Sequence, residues 1–210
     1  MKNISIQSLN EIDYQYWKSW WENWPQQIEH IGGRNLRPPE YDYKQAVKEL
    51  HKILKFAKSD LVLDVGCGTG ETMKFIAPAV KSITGIERAE HMLGHAKTAL
   101  EGILNVTLHQ MDAIDITLPV ESFDKVYSNA VIQYIHKDYL SKYIQDMLMV
   151  TKKGGKVLIG DVIPQNERFN DANVTQLPEE YWKEYWGEYK PKVIKSGYED
   201  RYHVLLTKPL

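Results

Sequence analysis

Residues 61–71, LVLDVGCGTGE, leave this chain few folds. The apolar run Leu61-Val62-Leu63-Asp64-Val65 has the length of a strand and ends directly in a loop with glycine at 66, 68 and 70. Residues 72–77 then read as the start of a helix. Glycine tolerates the backbone of a tight turn and, lacking Cβ, lets N–H groups approach a ligand closely. A helix N-terminus beyond the turn adds the positive end of a dipole. Strand, glycine loop and helix in that order predict an α/β unit that binds something at the loop.

The pattern repeats downstream. Short apolar runs at 83–86, 106–108, 123–127 and 157–159 alternate with stretches able to form helices at about 70–80, 90–101 and 138–151. Strands alternating with helices predict a mostly parallel sheet covered on both faces. Gly154-Gly155 reads as a turn just before the fifth strand. Residues 178–189 read as one helix with Pro178 at its start. Residues 193–194 and 202–207 read as two strands, and a connection that short implies an antiparallel hairpin. The expected fold is α/β: a three-layer sandwich on a mostly parallel seven-stranded sheet whose last strand is antiparallel.

Ahead of this core, Tyr14, Tyr16, Trp17, Trp20, Trp21 and Trp24 crowd together, and the four tryptophans fall at i, i+3, i+4, i+7, one helix face. Pro25 marks its end, and residues 31–39 read as a loop. Val47, Leu50, Ile53 and Leu54 again have helical spacing. No Gly/Ser linker or repeat divides the chain. The expectation is one domain, 1–210, with 1–44 a helical, aromatic extension and 45–210 the core.

Composition narrows the function. With Lys+Arg 26 and Asp+Glu 28 the net charge is −2, which argues against nucleic acid as a partner. Cys67 is the one cysteine, so neither an intrachain disulfide nor a thiolate zinc site is expected. No apolar stretch has the length of a membrane span or a signal peptide, and the expected location is the cytoplasm.

The loop itself separates ligand classes. A phosphate loop needs Lys and Ser/Thr after its last glycine, where Glu71-Thr72 stand. A dinucleotide loop needs Gly or Ala where Glu71 would bring a carboxylate to the pyrophosphate. A nucleoside with no phosphate at the loop remains.

At this point the stretch resembles motif I of the class I S-adenosylmethionine-dependent methyltransferases, an acid followed by G-x-G-x-G after the first strand. Four further landmarks over about residues 45–160 extend the resemblance: Ile83-Thr84-Gly85-Ile86-Glu87, His109-Gln110-Met111-Asp112-Ala113, the segment 122–128 (SFDKVYS) and the segment 153–158 (KGGKVL). The resemblance, together with donor–acceptor chemistry, implies S-adenosylmethionine as cofactor and a set of roles. Glu87 would accept both ribose hydroxyls. Asp112 would accept the adenine amine, flanked by Met111 and Ala113. Gly66, Gly68 and Gly70 would let the backbone pass the methionyl part. The Ser128 carbonyl and Asp64 would receive its ammonium.

A sulfonium is already activated, so alignment of the acceptor is the main requirement, with a base needed only for a protonated nucleophile. Residues after the fourth and fifth strands face the acceptor. His136 is the candidate base, or else a helix cap. Asp161 would hold or deprotonate the acceptor, or else close the turn. Tyr14, Trp17 and Tyr134 are candidate substrate-binding residues. The tryptophan face either packs a helix on the core or forms a lid, with Tyr41 or Tyr43 lining it and Tyr181, Trp182, Tyr185 and Trp186 as the opposite wall. His91 and His95, at i, i+4, find no third ligand nearby, and no metal is expected. No Asn-Pro-Pro-aromatic tetrapeptide follows the fourth strand, which disfavours planar amino groups as acceptors. The expected function is methyl transfer to an O or N atom of a small-molecule acceptor. A macromolecular acceptor, or a domain that binds the cofactor without transfer, are the alternatives.

Overall fold

A computed structural model describes residues 15, 17, 19, 21, 22, 43–165, 174–198 and 200–210. The expectations for Tyr14, Tyr16, Trp20, Trp24, Pro25, Tyr41, the loop 31–39 and the side chain of Tyr43 lie outside the described residues.

The elements run α1 (Tyr43–Leu54), β1 (Leu61–Val65), α2 (Glu71–Ile76), β2 (Ser82–Glu87), α3 (Glu90–Ala99), β3 (Val106–Gln110), β4 (Phe123–Asn129), α4 (Lys137–Val150), β5 (Thr151–Val162), α5 (Glu179–Trp186), β6 (Lys192–Lys195) and β7 (Tyr202–Thr207). The seven strands lie in the order β3-β2-β1-β4-β5-β7-β6. β1 to β5 are parallel, and β7 runs antiparallel to both β5 and β6. The chain winds outward from β1 to β3, then returns to lay β4 beside β1. That reversal opens a crevice at the carboxyl ends of β1 and β4, where ligands of open α/β sheets sit.

Period-2 alternation divides the core. Val126, Val157 and Leu63 face one cluster with Leu140, Tyr143, Ile144 and Met147 of α4 and Trp182 of α5. Their neighbours Tyr127, Leu158 and Val62 face the other, with Leu50 and Leu54 of α1, Met73 and Ile76 of α2, and Ala96 of α3. Each fully buried large side chain contributes about 1.5–3 kcal/mol. Trp182 is fully buried yet keeps its indole N–H satisfied by the Tyr202 hydroxyl, which donates in turn to the Leu177 carbonyl.

Two expectations shift. The helix expected at 70–80 ends at Ile76 and gives way to a 3-10 turn, Ala77–Ala79, because Pro78 cannot continue it. Gly154-Gly155 is not a turn before β5 but a bulge inside it. Pairing with β4 moves from Phe123↔Thr151 to Lys125↔Lys156, so β5 spends five residues where β4 spends two. Gly154 takes φ +73, and a Cβ on Gly155 would meet the Lys152 and Asp124 carbonyls at 2.8 and 2.9 Å. The chain beyond β7 fixes the bulge, since Gly154 N–H donates to Lys208 O and Lys208 N–H to Gly155 O.

Candidate active site

The glycine loop leaves β1 at the crevice. Gly66, Gly68 and Gly70 all have left-handed backbone, with φ of +76, +56 and +78. Their surroundings differ. A Cβ on Gly66 would lie 2.6 Å from Val131, and one on Gly70 would lie 2.7 Å from Leu100. Gly68 meets only Met92, at 3.5 Å. Gly66 and Gly70 are therefore held by packing as well as conformation, while Gly68 is held by conformation, since a Cβ there would make only an ordinary contact with Met92. The N–H groups of Gly66 and Cys67 both donate to Ile86 O, pinning the loop to the end of β2.

That end carries Glu87. Its Oε2 accepts from Gly68 N–H at 3.1 Å and its Oε1 from Ala89 N–H at 2.9 Å. Burial raises its pKa, against the backbone bonds and the Arg88 charge. Each oxygen retains a second lone pair for a ligand hydroxyl. Asp64 lies beneath the loop, 2% exposed. Its Oδ2 accepts from the Tyr127 hydroxyl at 2.6 Å and from Thr72 Oγ1 at 3.0 Å, joining β1 to β4 and α2. Burial pushes its carboxyl up to about 7, opposed by those two bonds and assisted by the charge of Glu87. Met111 N–H donates to Glu87 O, which sets Met111, Asp112 and Ala113 beside the carboxylate of β2. Asp112 Oδ1 accepts from Ile114 N–H at 3.2 Å, and its Oδ2 lies 3.7 Å from Arg88 Nη1. Ser128 is buried and clamps β4 to the loop entry, its hydroxyl donating to Val65 O.

The other end of the crevice is built from the exits of β4 and β5, where an acceptor is expected. Ala130 and Asp161 follow there with φ of +58 and +56, unfavourable conformations for side-chain-bearing residues. Asp161, 5% exposed, accepts from Asn129 Nδ2 and from Ser196 Oγ, each at 3.3 Å. Its backbone N–H donates to His203 Nδ1. His136 takes the cap position of α4, its Nδ1 accepting from Asp138 N–H at 3.3 Å. The same atom lies 3.5 Å from Asp138 Oδ2. With the cap formed, the neutral ring carries its proton on Nε2 and has no lone pair there to act as a base. Tyr134 packs against Trp17 (5.0 Å between ring centres) and Trp21 (5.4 Å). Trp17 is buried with Ile163 and Val174, and Glu22 on the same helical stretch lies 3.9 Å from Arg88. The expected opposite wall divides: Tyr181, Trp182 and Trp186 belong to the core under α5, and Tyr185 is half exposed.

The structure thus brings together Asp64, the glycines, Glu87, Met111, Asp112 and Ser128 on one side and Tyr134, His136 and Asp161 on the other. Sequence reasoning missed Thr72, Arg88, Asn129, Tyr127, Ser196 and His203. Arg88 had a signal, its place next to Glu87. The others reach the site across 30 or more residues or from below the loop and leave no local pattern. Among the described residues no three His, Cys, Asp or Glu side chains gather as metal ligands.

Residues 62–155 match the family model for a methyltransferase domain. Over those residues the chain is similar to a methyltransferase domain, and its sheet has the fold of the class I S-adenosylmethionine-dependent methyltransferases that the sequence resembles. A sterol 4-C-methyltransferase of Caenorhabditis elegans is 29% identical over 68% of this chain and 46% of its own length. Other curated relatives are named for phosphatidylethanolamine and demethylmenaquinone. The chain spans 46% and 51% of the first two of these and 3% of a chondramide synthase that it also matches. Among solved structures, an S-adenosylmethionine-dependent methyltransferase of Leishmania major superposes with TM-score 0.72 at 15% identity, over 93% of this chain and 82% of that one. A 4+2 cyclase superposes with TM-score 0.70 at 16% identity, over 98% and 100%. Likeness at that level shows the fold, and the reaction has to be argued from the site.

Proposed function

We propose that this chain transfers a methyl group from S-adenosylmethionine to an O or N atom of a small-molecule acceptor. The observation that carries the reading is the Glu87 carboxylate, locked by Gly68 N–H and Ala89 N–H at the glycine loop. That donor–acceptor set fits a ribose: each oxygen is fixed and keeps a lone pair for one hydroxyl. Asp112, beside Glu87, supplies an acceptor for an exocyclic amine and Met111 and Ala113 supply apolar surface. Asp64 and the Ser128 carbonyl supply the negative end for an ammonium.

Bound S-adenosylmethionine supplies a methyl carbon on a positively charged sulfur. The protein's part is to align the acceptor with it and exclude water. Asp161 accepts a hydrogen bond from the acceptor's O–H or N–H and orients the attacking lone pair. Held by Glu87, Asp112 and the glycine loop, the cofactor would supply the methyl and leave as a neutral thioether that keeps the carbon–sulfur bonding electrons, and the acceptor's proton would pass to a base or to water. His136 serves as that base only in its other tautomer, with Nδ1–H turned to the Asp138 carboxylate and Nε2 unprotonated. We read the described N-terminal residues Trp17, Trp21 and Glu22 as part of a lid over the core. Trp17 and Trp21 seat on Tyr134 at the acceptor rim while Glu22 reaches Arg88 at the cofactor rim, which supports this. No helix among the described residues is long and apolar enough to cross a membrane, and the reading is of a cytoplasmic enzyme.

Incubation with methyl-labelled cofactor and a size-fractionated cell extract tests the proposal. Label in the small-molecule fraction is the expected result. Label in RNA or protein would replace the acceptor class, and calorimetric binding of the cofactor with no transfer to any fraction would leave a binding domain.

A further inference from the structure

We propose that Glu49 and His203 are positioning residues for the acceptor end of the site, a pair of one half-buried and one buried side chain that holds Asp161 in its left-handed kink at the end of β5. The inference rests on the methyl-transfer reading of Asp161 given above and concerns residues that reading does not use.

The kink needs a cause. Pairing of β5 with β7 runs in register to Ile159↔Val204 and resumes, shifted, at Val162↔Tyr202. Asp161 falls in the gap, with φ +56. A side-chain-bearing residue adopts that backbone only where its surroundings over-determine it. The buried N–H of Asp161, taken out of the ladder, donates instead to His203 Nδ1 at 3.1 Å. Gly160 makes the arrangement possible. A Cβ there would collide with Asn129 Oδ1 and come within 3.3 Å of His203 Nδ1. Asn129 and His203 therefore close on Asp161 from the two neighbouring strands.

His203 can accept at Nδ1 only when its proton is on Nε2, and Glu49 fixes that. The His203 Nε2 lies 2.8 Å from Glu49 Oε2, while His203 is 3% exposed. Glu49 comes from α1, a different part of the chain. Its Oε1 accepts from Gly197 N–H and from Gln45, each at 3.0 Å. Burial works to raise its pKa, yet the bonds from His203, Gln45 and Gly197 more than offset this and the pKa ends below the ordinary value. A fixed carboxylate setting the tautomer of a histidine, which in turn orients a functional group, is the arrangement by which outer residues tune a site.

The outcome is a carboxylate with no freedom. Its two oxygens take Asn129 and Ser196, and the Arg201 guanidinium is close enough to feel both Asp161 and Tyr134. A clasp that merely tied α1 and the β6–β7 hairpin to the sheet would not require a strained residue at its centre. Here the strain falls on the carboxylate that the methyl-transfer reading assigns to the acceptor, next to a second left-handed residue, Ala130, whose N–H donates to Gly160 O.

Three variants of the full chain test this: His203→Leu, His203→Asn and Glu49→Ala. An asparagine Oδ1 stands where Nδ1 did and still accepts the Asp161 N–H; leucine accepts nothing. Each is measured for S-adenosylhomocysteine affinity by calorimetry. Methyl transfer from labelled cofactor to the small-molecule fraction of a cell extract is then followed at several fraction concentrations. The expected result is a fall in kcat/KM of about 10–100-fold for His203→Leu, the span for loss of an orienting partner, with cofactor affinity within about twofold. His203→Asn should recover most of the rate. Hydrogen exchange at the Asp161 amide should be fast in His203→Leu and slow in wild type and His203→Asn. Glu49→Ala should split the His203 ring 15N signals toward mixed tautomers while lowering kcat/KM, and it keeps the question open to measurement should His203→Leu not fold. Transfer by His203→Leu within about threefold of wild type, or loss of cofactor affinity in step with the rate, or an Asp161 amide equally protected in all variants, would each overturn the proposal. Absence of label transfer by wild type would sink the methyl-transfer reading alone, and the Asp161 amide would still decide the positioning claim.

Discussion

Asp64 is a carboxyl group that burial holds protonated well above its ordinary range, up to about 7. A bound ammonium favours the ionised form and lowers that value. Between the two values the complex carries fewer protons than the free protein, so affinity rises with pH there and levels off above about 7. Calorimetry with S-adenosylhomocysteine from pH 5.5 to 8.5 should show affinity falling on the acid side by at most about tenfold per pH unit, and Asp64→Asn should flatten the curve. Folding has the opposite sign. The unfolded group ionises above about 4 and the folded one only near 7, so its contribution to stability is lost as pH rises between them. Glu87→Ala removes the partner of two backbone N–H groups as well as the ribose acceptor, and should weaken cofactor binding by about 1–3 kcal/mol. Equal affinity in that variant would remove Glu87 from the site. Glu87 was legible in the sequence because it ends a strand at a fixed distance from the glycines. Glu49 and His203 were not, because they lie 154 residues apart and no local pattern links them.

At the scale of elements, the short apolar runs made β1 to β5 readable, since a strand covered on both faces reads as a near-continuous apolar run. The bulge at Gly154-Gly155 was invisible for a physical reason: glycine permits turn and bulge alike, and the choice is made by Lys208, a partner beyond β7. The start of α4 carries a prediction. His136 caps it through Nδ1, so His136→Ala should destabilise the fold by about 0.5–2 kcal/mol in urea unfolding, and His136→Asn, itself a good cap, should restore most of that. If the histidine is also the base, both variants lose about 10²–10⁴-fold in turnover. Stability recovered by Asn with turnover still lost identifies two jobs on one ring; turnover recovered along with stability leaves only the cap.

Across the whole molecule, the strand order puts the carboxyl ends of β1, β2, β4 and β5 on one rim of the sheet, and the described N-terminal residues reach Tyr134 and Arg88 on it. The tryptophan spacing showed an apolar face but not what it covers, because a helix that packs permanently and one that closes over a site bury the same side chains. Energetics separate them. Trp17 is buried with Ile163, Val174 and Tyr134. Were this contact part of the permanent core, Trp17→Ala would cost about 3–5 kcal/mol of global stability, the ordinary loss for a large buried aromatic. A lid opens in a local transition of much lower free energy than unfolding, so most of its contacts are already absent from the state that unfolds. The lid reading therefore expects urea unfolding of Trp17→Ala within about 1 kcal/mol of wild type, together with a rise in acceptor KM of about tenfold, since each 1.4 kcal/mol of lost closure costs that factor. Cofactor affinity should fall less, because Arg88 and not Trp17 stands beside Asp112. A large drop in unfolding free energy with KM unchanged would make the aromatic face a piece of the core and leave the acceptor mouth open.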